Sequence, residues 1–267
     1  MRLVDQAMTV LRRTISKRTE AGEPAARLSS CEESPDPEAQ HARLTYSIEA
    51  EDLLVDRIYY DLLGIPRGYR GFYVDVGAFD PVRASNTFRL YQSGWRGINI
   101  EANPAAIERF VALRPRDINL NVAVGPEGTK DGIYVTFDEP LLNGFLAADI
   151  IDHHRRSGRV VLSQQIVPFR TLNSLLAEHA PASSGIDFLN IDVELMEHAI
   201  LSEFALSRWR PKVVAVEIHG GPAVTEIAKD PVAKLLCDSG YTFVTRLWHT
   251  SIFADVSARG RPSDGSR

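Results

Sequence analysis

The segment from residue 71 to residue 104, GFYVDVGAFDPVRASNTFRLYQSGWRGINIEANP, constrains the fold of this chain more than any other. An apolar run leads into Gly77, an amphipathic segment over about 85–92 follows, and a second apolar run, 97–100, stops at Glu101. This order predicts a strand, a glycine turn, a helix and a second strand. Short strands separated by helical segments are typical of a parallel sheet that is buried on both faces.

Three residues fall where the predicted strands end: Asp75, Gly77 and Glu101. In open parallel sheets, ligands bind at the carboxyl ends of the strands. Because Gly77 has no Cβ, its backbone can turn sharply and approach a ligand closely. The carboxylate of Glu101 only accepts hydrogen bonds, which suits the two hydroxyls of a ribose. The pattern predicts a site for a nucleoside-bearing cofactor, and the alternative is an ordinary Asp-x-Gly turn.

The residues that follow Gly77 distinguish between classes of cofactor. A dinucleotide fingerprint reads G-x-G-x-x-G, but Ala78-Phe79-Asp80-Pro81 supplies neither of the two later glycines. The phosphate-binding motif Gly-x-x-x-x-Gly-Lys-Ser/Thr does not occur either. The turn is therefore better suited to S-adenosylmethionine, which has a ribose and an amino-acid end but no phosphate. A nicotinamide-dependent oxidoreductase is the alternative enzyme class, and the missing glycines argue against it.

Motifs along the chain match those of one family in order. They are VDVGAFDP from Val74, SNTFRLYQSGWRGINIEANP from Ser85, NVAVG from Asn121, TLNSLL from Thr171, FLNIDVELMEHAIL from Phe188 and KVVAVEIHG from Lys212. These segments resemble the FkbM family of S-adenosylmethionine-dependent methyltransferases. An upstream segment, YSIEAED, is similar to the family's Ser-Gln-x-Gly-Glu-Asp motif, with Ile48 and Ala50 in place of Gln and Gly. The resemblance extends from about Tyr46 to Asp255.

The resemblance implies an α/β, Rossmann-like class I methyltransferase fold. Its seven-stranded, mostly parallel sheet would have helices on both faces and a closing antiparallel strand. It further implies S-adenosylmethionine as the cofactor and methyl transfer to a hydroxyl oxygen as the reaction. The implied acceptor is a small molecule or a glycan, with a sugar of a polysaccharide, a glycolipid or a glycosylated natural product as the first choice.

By the same resemblance, six residues would bind the cofactor: Asp75, Gly77, Ala78, Glu101, Asn121 and Asp192. Asp75 and Gly77 would hold the amino-acid end of the cofactor, and Glu101 would hold its ribose. The region of Asn121 would approach the adenine, and Asp192 would lie near the sulfonium or the acceptor.

Acidic residues follow the predicted fourth strand at Asp192, Glu194 and Glu197. Asp192 ends the apolar run 188–191, so it should face the same cleft as Gly77. Its carboxylate could take a proton from a substrate hydroxyl, orient a donor or bind a cation. For Glu194 and Glu197 the alternative is a capped, solvated helix start, where acids complement the helix dipole.

The FkbM family usually has a glycine after this Ile-Asp-Val-Glu sequence, whereas this chain has Leu195. Leucine disfavours both a positive φ and a close approach of backbone. The substitution keeps open the alternative of a non-catalytic binding or scaffold protein that retains the methyltransferase fold.

Glu217 and His219 end the predicted fifth strand, which covers about 212–218. An unpaired carboxylate among the apolar residues of this strand would be costly to bury. His219 is a candidate general base because histidine exchanges protons near neutral pH, and a hydrogen-bonded histidine at a strand end is the simpler interpretation. Asp192, Glu217 and His219 are thus the candidate catalytic residues. The same three could bind a divalent metal, although their long spacing forms no metal motif.

Other polar and aromatic residues have simpler interpretations. The segment 153–156, His-His-Arg-Arg, could contact a sugar phosphate or a carboxylate, and the simpler interpretation is a solvated helix end. Trp95 and Tyr91 are expected in the core. Asn86 and Thr87 are expected to cap the helix that follows the cofactor turn.

The hydrophobic pattern predicts further elements around the site. A helix is expected over about 49–63, and Asn103 is expected to cap the helix that follows the second strand. The third strand is predicted over about 119–124. Segments 132–137 and 160–169 are predicted to be extended and to pair beside the main sheet.

Composition narrows the class of protein. The chain of 267 residues has a net charge of −5, which argues against nucleic acid as a bulk electrostatic partner. It contains no apolar run long enough to cross a bilayer and no evident secretory signal, which favours a cytoplasmic enzyme. Cys31 and Cys237 form no metal spacing and suggest no disulfide framework. A homo-oligomer is compatible with the sequence.

Composition also divides the chain. Residues 1–42 join a basic amphipathic segment to a stretch rich in Pro, Ser, Glu and Ala, which indicates a variable, flexible N-terminal segment. A membrane-surface or partner-binding helix is the alternative for its first part. The methyltransferase domain is predicted over 43–256, and a disordered tail over 257–267.

Overall fold

The two apolar runs on either side of Gly77 form adjacent parallel strands in a computed structural model of the chain. The structure describes residues 41–181, 185–193, 196–219 and 224–260. Some of the sequence-based predictions concern residues outside these ranges, namely those for Glu194, Leu195 and the segments 1–40 and 261–267.

The strands of the described chain are β1 (Phe72–Val76), β2 (Arg96–Glu101), β3 (Ile118–Asn121), β4 (Ala123–Val124), β5 (Gly132–Phe137), β6 (Gly144–Phe145), β7 (Val161–Val167), β8 (Phe169–Arg170), β9 (Phe188–Ile191), β10 (Val213–Glu217), β11 (Thr242–Arg246) and β12 (Thr250–Ala254). The α-helices are α1 (Glu51–Arg57), α2 (Phe88–Gln92), α3 (Pro104–Leu113), α4 (Ala148–Arg156), α5 (Leu172–His179), α6 (Glu197–Glu203), α7 (Leu206–Trp209), α8 (Val224–Ile227) and α9 (Pro231–Asp238).

Seven strands form the main sheet, in the order β11-β12-β10-β9-β1-β2-β3. Strands β10, β9, β1, β2 and β3 are parallel to one another, and β12 is antiparallel to both of its neighbours. A parallel sheet whose strand order reverses beside β1, with one antiparallel strand near the far edge, is the Rossmann-like class I methyltransferase arrangement. The predicted fold class is therefore confirmed.

Apolar side chains cover both faces of this sheet. On one face, Val74 and Leu189 belong to a core that includes residues of α5, α6 and α9. On the other face, Tyr73 and Phe188 pack with residues of α1 and α2. Trp95 lies in this second core with 4% of its surface exposed, which confirms its predicted packing role.

A smaller antiparallel sheet has the strand order β6-β5-β7. Its strands come from the part of the chain between β4 and β8. It confirms the predicted pairing of segments 132–137 and 160–169. The predicted third strand, in contrast, is divided in two. After Asn121 the chain leaves the main sheet, and the N–H of Ala123 donates to the carbonyl oxygen of Pro168, so that β4 pairs with β8 instead.

The helix predicted over 49–63 begins later than expected, because Ala50 has a left-handed φ of +68° and cannot continue a helix. Its second half, Ile58–Leu62, is a π-helical turn. Asn103 caps α3 as predicted, since its side chain accepts a hydrogen bond from the N–H of Ala105 at 3.1 Å. Within the described residues, none of the helices has the length and apolar character needed to span a membrane.

Candidate active site

The carboxyl ends of β1, β2, β9 and β10 lie side by side at one edge of the main sheet. Val76 of β1 is in register with Ile100 of β2 and Ile191 of β9. Ile191 is also in register with Val216 of β10. The residues that follow in the four strands therefore meet at this edge: Gly77, Glu101, Asp192 and Glu217. Cofactor and catalytic candidates that are distant in sequence share one border of the sheet.

Gly77 lies where the ends of β1 and β9 approach each other closely. Its φ is +78°, and a Cβ atom at this position would lie 1.8 Å from the carbonyl oxygen of Asp192. The N–H groups of Gly77 and Ala78 both donate to the carbonyl oxygen of Ile100, at 3.0 and 3.1 Å. From the sequence we expected this glycine to admit a ligand, but the close approach in the structure is to the backbone of Asp192. Glycine is needed because any side chain would collide with that carbonyl group.

Glu101 ends β2 with 7% of its surface exposed. One carboxylate oxygen accepts a hydrogen bond from the N–H of Phe79 at 2.8 Å, and the other accepts one from the N–H of Asn103 at 2.7 Å. Burial raises the pKa of Glu101, and these backbone hydrogen bonds oppose the rise. Each oxygen keeps a second lone pair, so the carboxylate can still accept hydrogen bonds from two more donors.

The turn after Gly77 packs against α3 and contains a residue with an unusual backbone conformation. Ala78 is buried against Ile107 and Phe110 of α3. Phe79 has a φ of +55°, which is unfavourable for a bulky side chain. Backbone strain of this kind is concentrated at functional sites. Phe79 therefore belongs to the site through its hydrogen bond to Glu101, whereas sequence reasoning treated it only as a replacement for glycine.

Asn121 connects β3 to the end of β2. Its side-chain amide donates to the carbonyl oxygens of Glu101 and Ala102, at 3.0 and 2.9 Å. These two hydrogen bonds use both donors of the amide group and fix the backbone beside Glu101. The observed contacts of Asn121 are with the protein itself, and a contact with adenine stays a prediction.

Asp75 is buried one residue below the edge, with 1% of its surface exposed. Its carboxylate accepts hydrogen bonds from the hydroxyl of Thr87 at 2.6 Å and from the amide of Asn190 at 2.9 Å. Asn190 in turn accepts a hydrogen bond from Asn86 at 3.0 Å. Burial raises the pKa of Asp75, and the hydrogen bond from Thr87 opposes the rise. Asp75 thus stabilises the carboxyl edge of the sheet through its buried hydrogen bonds with Thr87 and Asn190.

The expected capping of α2 by Asn86 and Thr87 is wrong. Thr87 occupies the N-cap position but makes no side-chain cap hydrogen bond. Its hydroxyl instead donates to Asp75, and the amide of Asn86 donates to Asn190. The hydroxyl of Ser85 accepts the hydrogen bond from the N–H of Phe88 at 3.1 Å.

Arg114, which follows α3, is fully buried. Its guanidinium group pairs with the buried carboxylate of Asp117 at 3.1 Å. It also donates to the hydroxyls of Tyr73 and Thr87, at 2.7 and 2.8 Å. These hydrogen bonds offset the desolvation of the two charges. Sequence reasoning missed this network because an Arg-Pro-Arg-Asp segment after a helix is usually solvent-exposed.

Asp192 is exposed where β9 ends, and its N–H donates to the carbonyl oxygen of Val76 at 3.0 Å. Glu197 is only 4% exposed, and its carboxylate accepts a hydrogen bond from the N–H of Val193 at 3.0 Å. The alternative of a solvated helix start is therefore wrong for Glu197. Its buried carboxylate fixes the turn that follows Asp192.

Glu217 and His219 lie next to each other at the end of β10. Oε2 of Glu217 is 3.4 Å from Nε2 of His219, and 14% and 41% of the two side chains are exposed. A carboxylate beside an imidazole can orient the ring for proton transfer. In the part of the chain that the structure describes, no three His, Cys, Asp or Glu side chains are arranged as ligands of a metal ion. The metal site considered for Asp192, Glu217 and His219 does not form among these residues.

The turn between β11 and β12 borders Glu217 and His219. The N–H of Ile218 donates to the carbonyl oxygen of His249 at 3.0 Å. The guanidinium group of Arg246 donates to the carbonyl oxygen of Ile218 at 2.8 Å. The turn and the end of β10 are therefore fixed to each other by one backbone hydrogen bond and one from the side chain of Arg246.

The upstream motif YSIEAED reaches the same turn. The carboxylate of Glu49 accepts a hydrogen bond from the N–H of His249 at 3.1 Å and lies 2.9 Å from its Nδ1. Glu51 is buried, which raises its pKa, and accepts a hydrogen bond from the hydroxyl of Thr250 at 2.9 Å. Ala50, between the two acids, has the left-handed backbone for which the family's glycine is suited. The motif thus holds the turn beside His219.

Trp248 stands on this turn with 58% of its surface exposed. Its own carbonyl oxygen accepts a hydrogen bond from Arg246 at 3.3 Å, and the N–H of Leu247 donates to the carbonyl oxygen of Thr250 at 2.8 Å. Tryptophan is enriched at binding surfaces because it combines a large apolar ring with a polar N–H, so Trp248 is a candidate binding residue. Sequence reasoning missed Trp248 because the turn meets β10 only in the folded chain.

The residues of this edge lie inside a known family domain. A family profile described as the Methyltransferase FkbM domain matches residues 75–243, from the last residues of β1 to β11. The chain belongs to the FkbM methyltransferase domain family. The resemblance stated from the sequence motifs is confirmed, and the matched FkbM region contains the candidate residues on all four strand ends.

Several solved structures are similar to this FkbM chain at low identity. An FkbM methyltransferase from Methylobacillus flagellatus KT is 13% identical, with 74% of this chain and 47% of that chain covered and a TM-score of 0.40. An O-methyltransferase from Bacillus cereus in complex with S-adenosylhomocysteine is 15% identical, with 92% and 90% covered and a TM-score of 0.36. The chain thus spans about half the length of the M. flagellatus protein. No curated protein sequence matches it.

Proposed function

We propose that this FkbM chain transfers a methyl group from S-adenosylmethionine to a hydroxyl oxygen of a sugar. The acceptor would be a unit of a polysaccharide, a glycolipid or a glycosylated natural product. The observation that carries the proposal is the meeting of Glu101, Asp192 and His219 at one edge of a methyltransferase-type sheet in a member of this family. A hydrogen-bond acceptor for the ribose hydroxyls and two candidate proton acceptors then lie along the same edge of the sheet.

The residues around Glu101 fit S-adenosylmethionine better than a dinucleotide. The carboxylate retains acceptor sites for two ribose hydroxyls, as its two backbone hydrogen bonds occupy only half of its lone pairs. A pyrophosphate would need a helix N-terminus directly after the glycine turn. Here α2 begins only at Phe88, beyond a loop that runs from Ala78. This loop supports the methyltransferase proposal over the nicotinamide-dependent alternative.

Proton removal from the acceptor is assigned to the ends of β9 and β10. Bound S-adenosylmethionine supplies an activated methyl group on a sulfonium, so the protein has to align the acceptor oxygen and take up its proton. His219 is the first candidate for the base because it is exposed and lies beside the carboxylate of Glu217. Asp192 is the second candidate, since it is exposed at the adjacent strand end.

A sugar is the favoured acceptor for two reasons. The exposed indole of Trp248 lies on a turn that is hydrogen-bonded to the residue between Glu217 and His219. An aromatic ring can pack against the apolar face of a sugar while neighbouring polar groups bond its hydroxyls. The net charge of −5 makes a polyanionic nucleic acid a poor acceptor.

The proposal is tested by following the transfer of labelled methyl groups from S-adenosylmethionine to a panel of methyl glycosides. We expect the wild-type protein to methylate at least one glycoside. The substitution His219→Gln should lower kcat by about 100-fold or more, because a general base contributes rate enhancements of that size. Binding of S-adenosylhomocysteine should not change in this variant.

A matched control is His179→Gln, which alters the last residue of α5. This control should retain full activity. An unchanged kcat in His219→Gln and a large loss in Asp192→Asn would transfer the role of base to Asp192. Methyl transfer would be rejected as the function if the protein binds S-adenosylhomocysteine but labels neither a glycoside nor any other hydroxyl.

A further inference from the structure

The outer strand of the small sheet has an edge without charges or prolines. β7 is the last strand in the order β6-β5-β7, so within the described residues no other strand pairs with its outer side. Its sequence, Val161–Val167 or VLSQQIV, contains no charge and no proline. Edge strands of soluble proteins are usually protected against pairing by charges, prolines or bulges. The pairing of β5 with β7 is irregular at Leu162, because Thr136 pairs with Ser163 and Phe137 pairs with Val161, and Ser163 to Val167 are regular.

The same strand exposes apolar side chains that a soluble monomer would be expected to cover. Leu162 is 65% exposed and Ile166 is 75% exposed. Ile133 of β5, which is in register with Ile166 and lies on the same face, is 55% exposed. Apolar residues of this size, adjacent on one face of a sheet edge, mark an interaction surface.

The sequence of β7 indicates what covers this surface. When two copies of the strand run antiparallel with the two-fold axis at Gln164, Leu162 of one copy faces Ile166 of the other. Ser163 then faces Gln165. Val161 lies beyond the irregularity at Leu162, on the face of Phe137, and takes no part in this pairing. In such an arrangement each paired residue meets a partner of the same character, and no charge is placed opposite another charge. Direct cross-strand pairs of this kind stabilise a sheet, and a self-complementary surface is what a two-fold dimer requires.

We propose that this chain forms a two-fold homodimer through antiparallel pairing of β7 with β7 of a second copy, centred on Gln164. The two small sheets then form one continuous sheet of six strands, since each contributes three. Two Leu162–Ile166 pairs extend the apolar stripe to Ile133 of each copy. A shift of one residue in either direction would turn the apolar set of one strand to the other face, so the register is determined. The inference does not depend on the proposed activity.

Sedimentation of the full chain over a wide range of concentrations tests the proposal. The wild-type protein should show a dimer of twice the 29.6 kDa chain mass that dissociates on dilution. The double substitution Leu162→Lys with Ile166→Lys places like charges opposite each other across the axis, which is destabilising. We expect this variant to be monomeric. The double substitution Leu162→Lys with Ile166→Glu places opposite charges in the same two pairs, so we expect it to dimerise.

Both double variants lose a similar apolar area, so a difference between them in dimerisation reports only which residues face each other across the two-fold axis. A control, Val111→Lys, alters a residue of α3 that is 56% exposed and should leave the dimer intact. Thermal unfolding of each variant verifies that the fold is retained. A wild-type protein that is monomeric at all concentrations would overturn the proposal. So would a dimer that persists in the two-lysine variant, or one that is lost equally in both double variants.

Discussion

The two halves of the carboxyl edge differ in what their polar side chains contact. In the half formed by β1, β2 and β3, Glu101 and Asp75 are buried, and Glu101 and Asn121 bond the protein's own backbone. In the half formed by β9, β10 and the β11–β12 turn, His219 and Trp248 are exposed. A rigid, pre-formed surface suits a cofactor that all members of a family share. An acceptor that differs between members requires exposed side chains that can contact it. The contrast is the one expected if the first half binds the proposed cofactor and the second half binds the proposed acceptor, and the two are called here the cofactor half and the acceptor half.

The largest expected effect comes from breaking the buried network under the cofactor half. Arg114→Met leaves the carboxylate of Asp117 buried without its cation, which should lower the free energy of unfolding by about 3–5 kcal/mol. Urea unfolding measures the change. Arg155→Met, which removes an exposed arginine of α4 paired with Asp152, should cost less than about 1 kcal/mol. Equal losses in the two variants would show that the cofactor half is not specially dependent on buried charge.

The second prediction concerns the pH dependence of cofactor binding. Burial raises the pKa of Glu101, so this carboxyl becomes protonated at a higher pH than an ordinary glutamate. A protonated carboxyl loses acceptor capacity for ribose hydroxyls. The affinity for S-adenosylhomocysteine should therefore fall as the pH decreases through the raised pKa, by up to about tenfold per pH unit. Calorimetric titrations at a series of pH values, from about pH 8 downwards, measure this change in affinity.

The matched control for this dependence is Glu101→Gln, which has no proton to gain. Its weaker binding should be nearly independent of pH over the same interval. An identical pH profile in this variant and the wild-type protein would mean that another group controls the binding.

A smaller effect is expected in the acceptor half. Trp248→Ala should raise KM for the glycoside acceptor by about tenfold, because the loss of an aromatic contact is worth about 1.4 kcal/mol. Binding of S-adenosylhomocysteine should stay the same. Trp248→Phe keeps an aromatic ring and should recover most of the affinity. A change in cofactor binding instead of KM would contradict the separation of the two halves.

The smallest effect, and the only stabilising one, is expected at Ala50. Its φ of +68° is unfavourable for a residue with a Cβ, so Ala50→Gly should raise the free energy of unfolding by about 0.5–1 kcal/mol. Ala105→Gly, in the first turn of α3, should have the opposite sign because it loses helix propensity. Thermal unfolding of both variants decides whether the family's glycine is suited to this position.

The fold was accessible from the sequence because its main signals are local. Apolar runs that stop at Gly77, Glu101 and Asp192 predict parallel strands with polar ends, and the structure has β1, β2 and β9 there. The division of the third strand was not accessible, because it depends on the pairing of Ala123 with the distant segment at Phe169.

The candidate site was only partly accessible from the sequence. Residues that end strands can be recognised by position, as for Glu101 and His219. Arg114 and Trp248 cannot, because their surroundings come from segments distant in the chain. Gly77 was recognised as necessary, but its close neighbour, the carbonyl group of Asp192, became evident only in the folded structure.

The most direct test of the account is calorimetric titration of the wild-type protein, Glu101→Gln and Glu108→Gln with S-adenosylhomocysteine. Glu108 is an exposed acid of α3 and serves as the control. We expect binding by the wild-type and control proteins and a loss of about 10- to 100-fold in affinity for Glu101→Gln, since hydrogen bonds to a charged group are worth about 1.5–3 kcal/mol. A folded wild-type protein that does not bind, or a Glu101→Gln variant that binds as tightly as wild type, would contradict it.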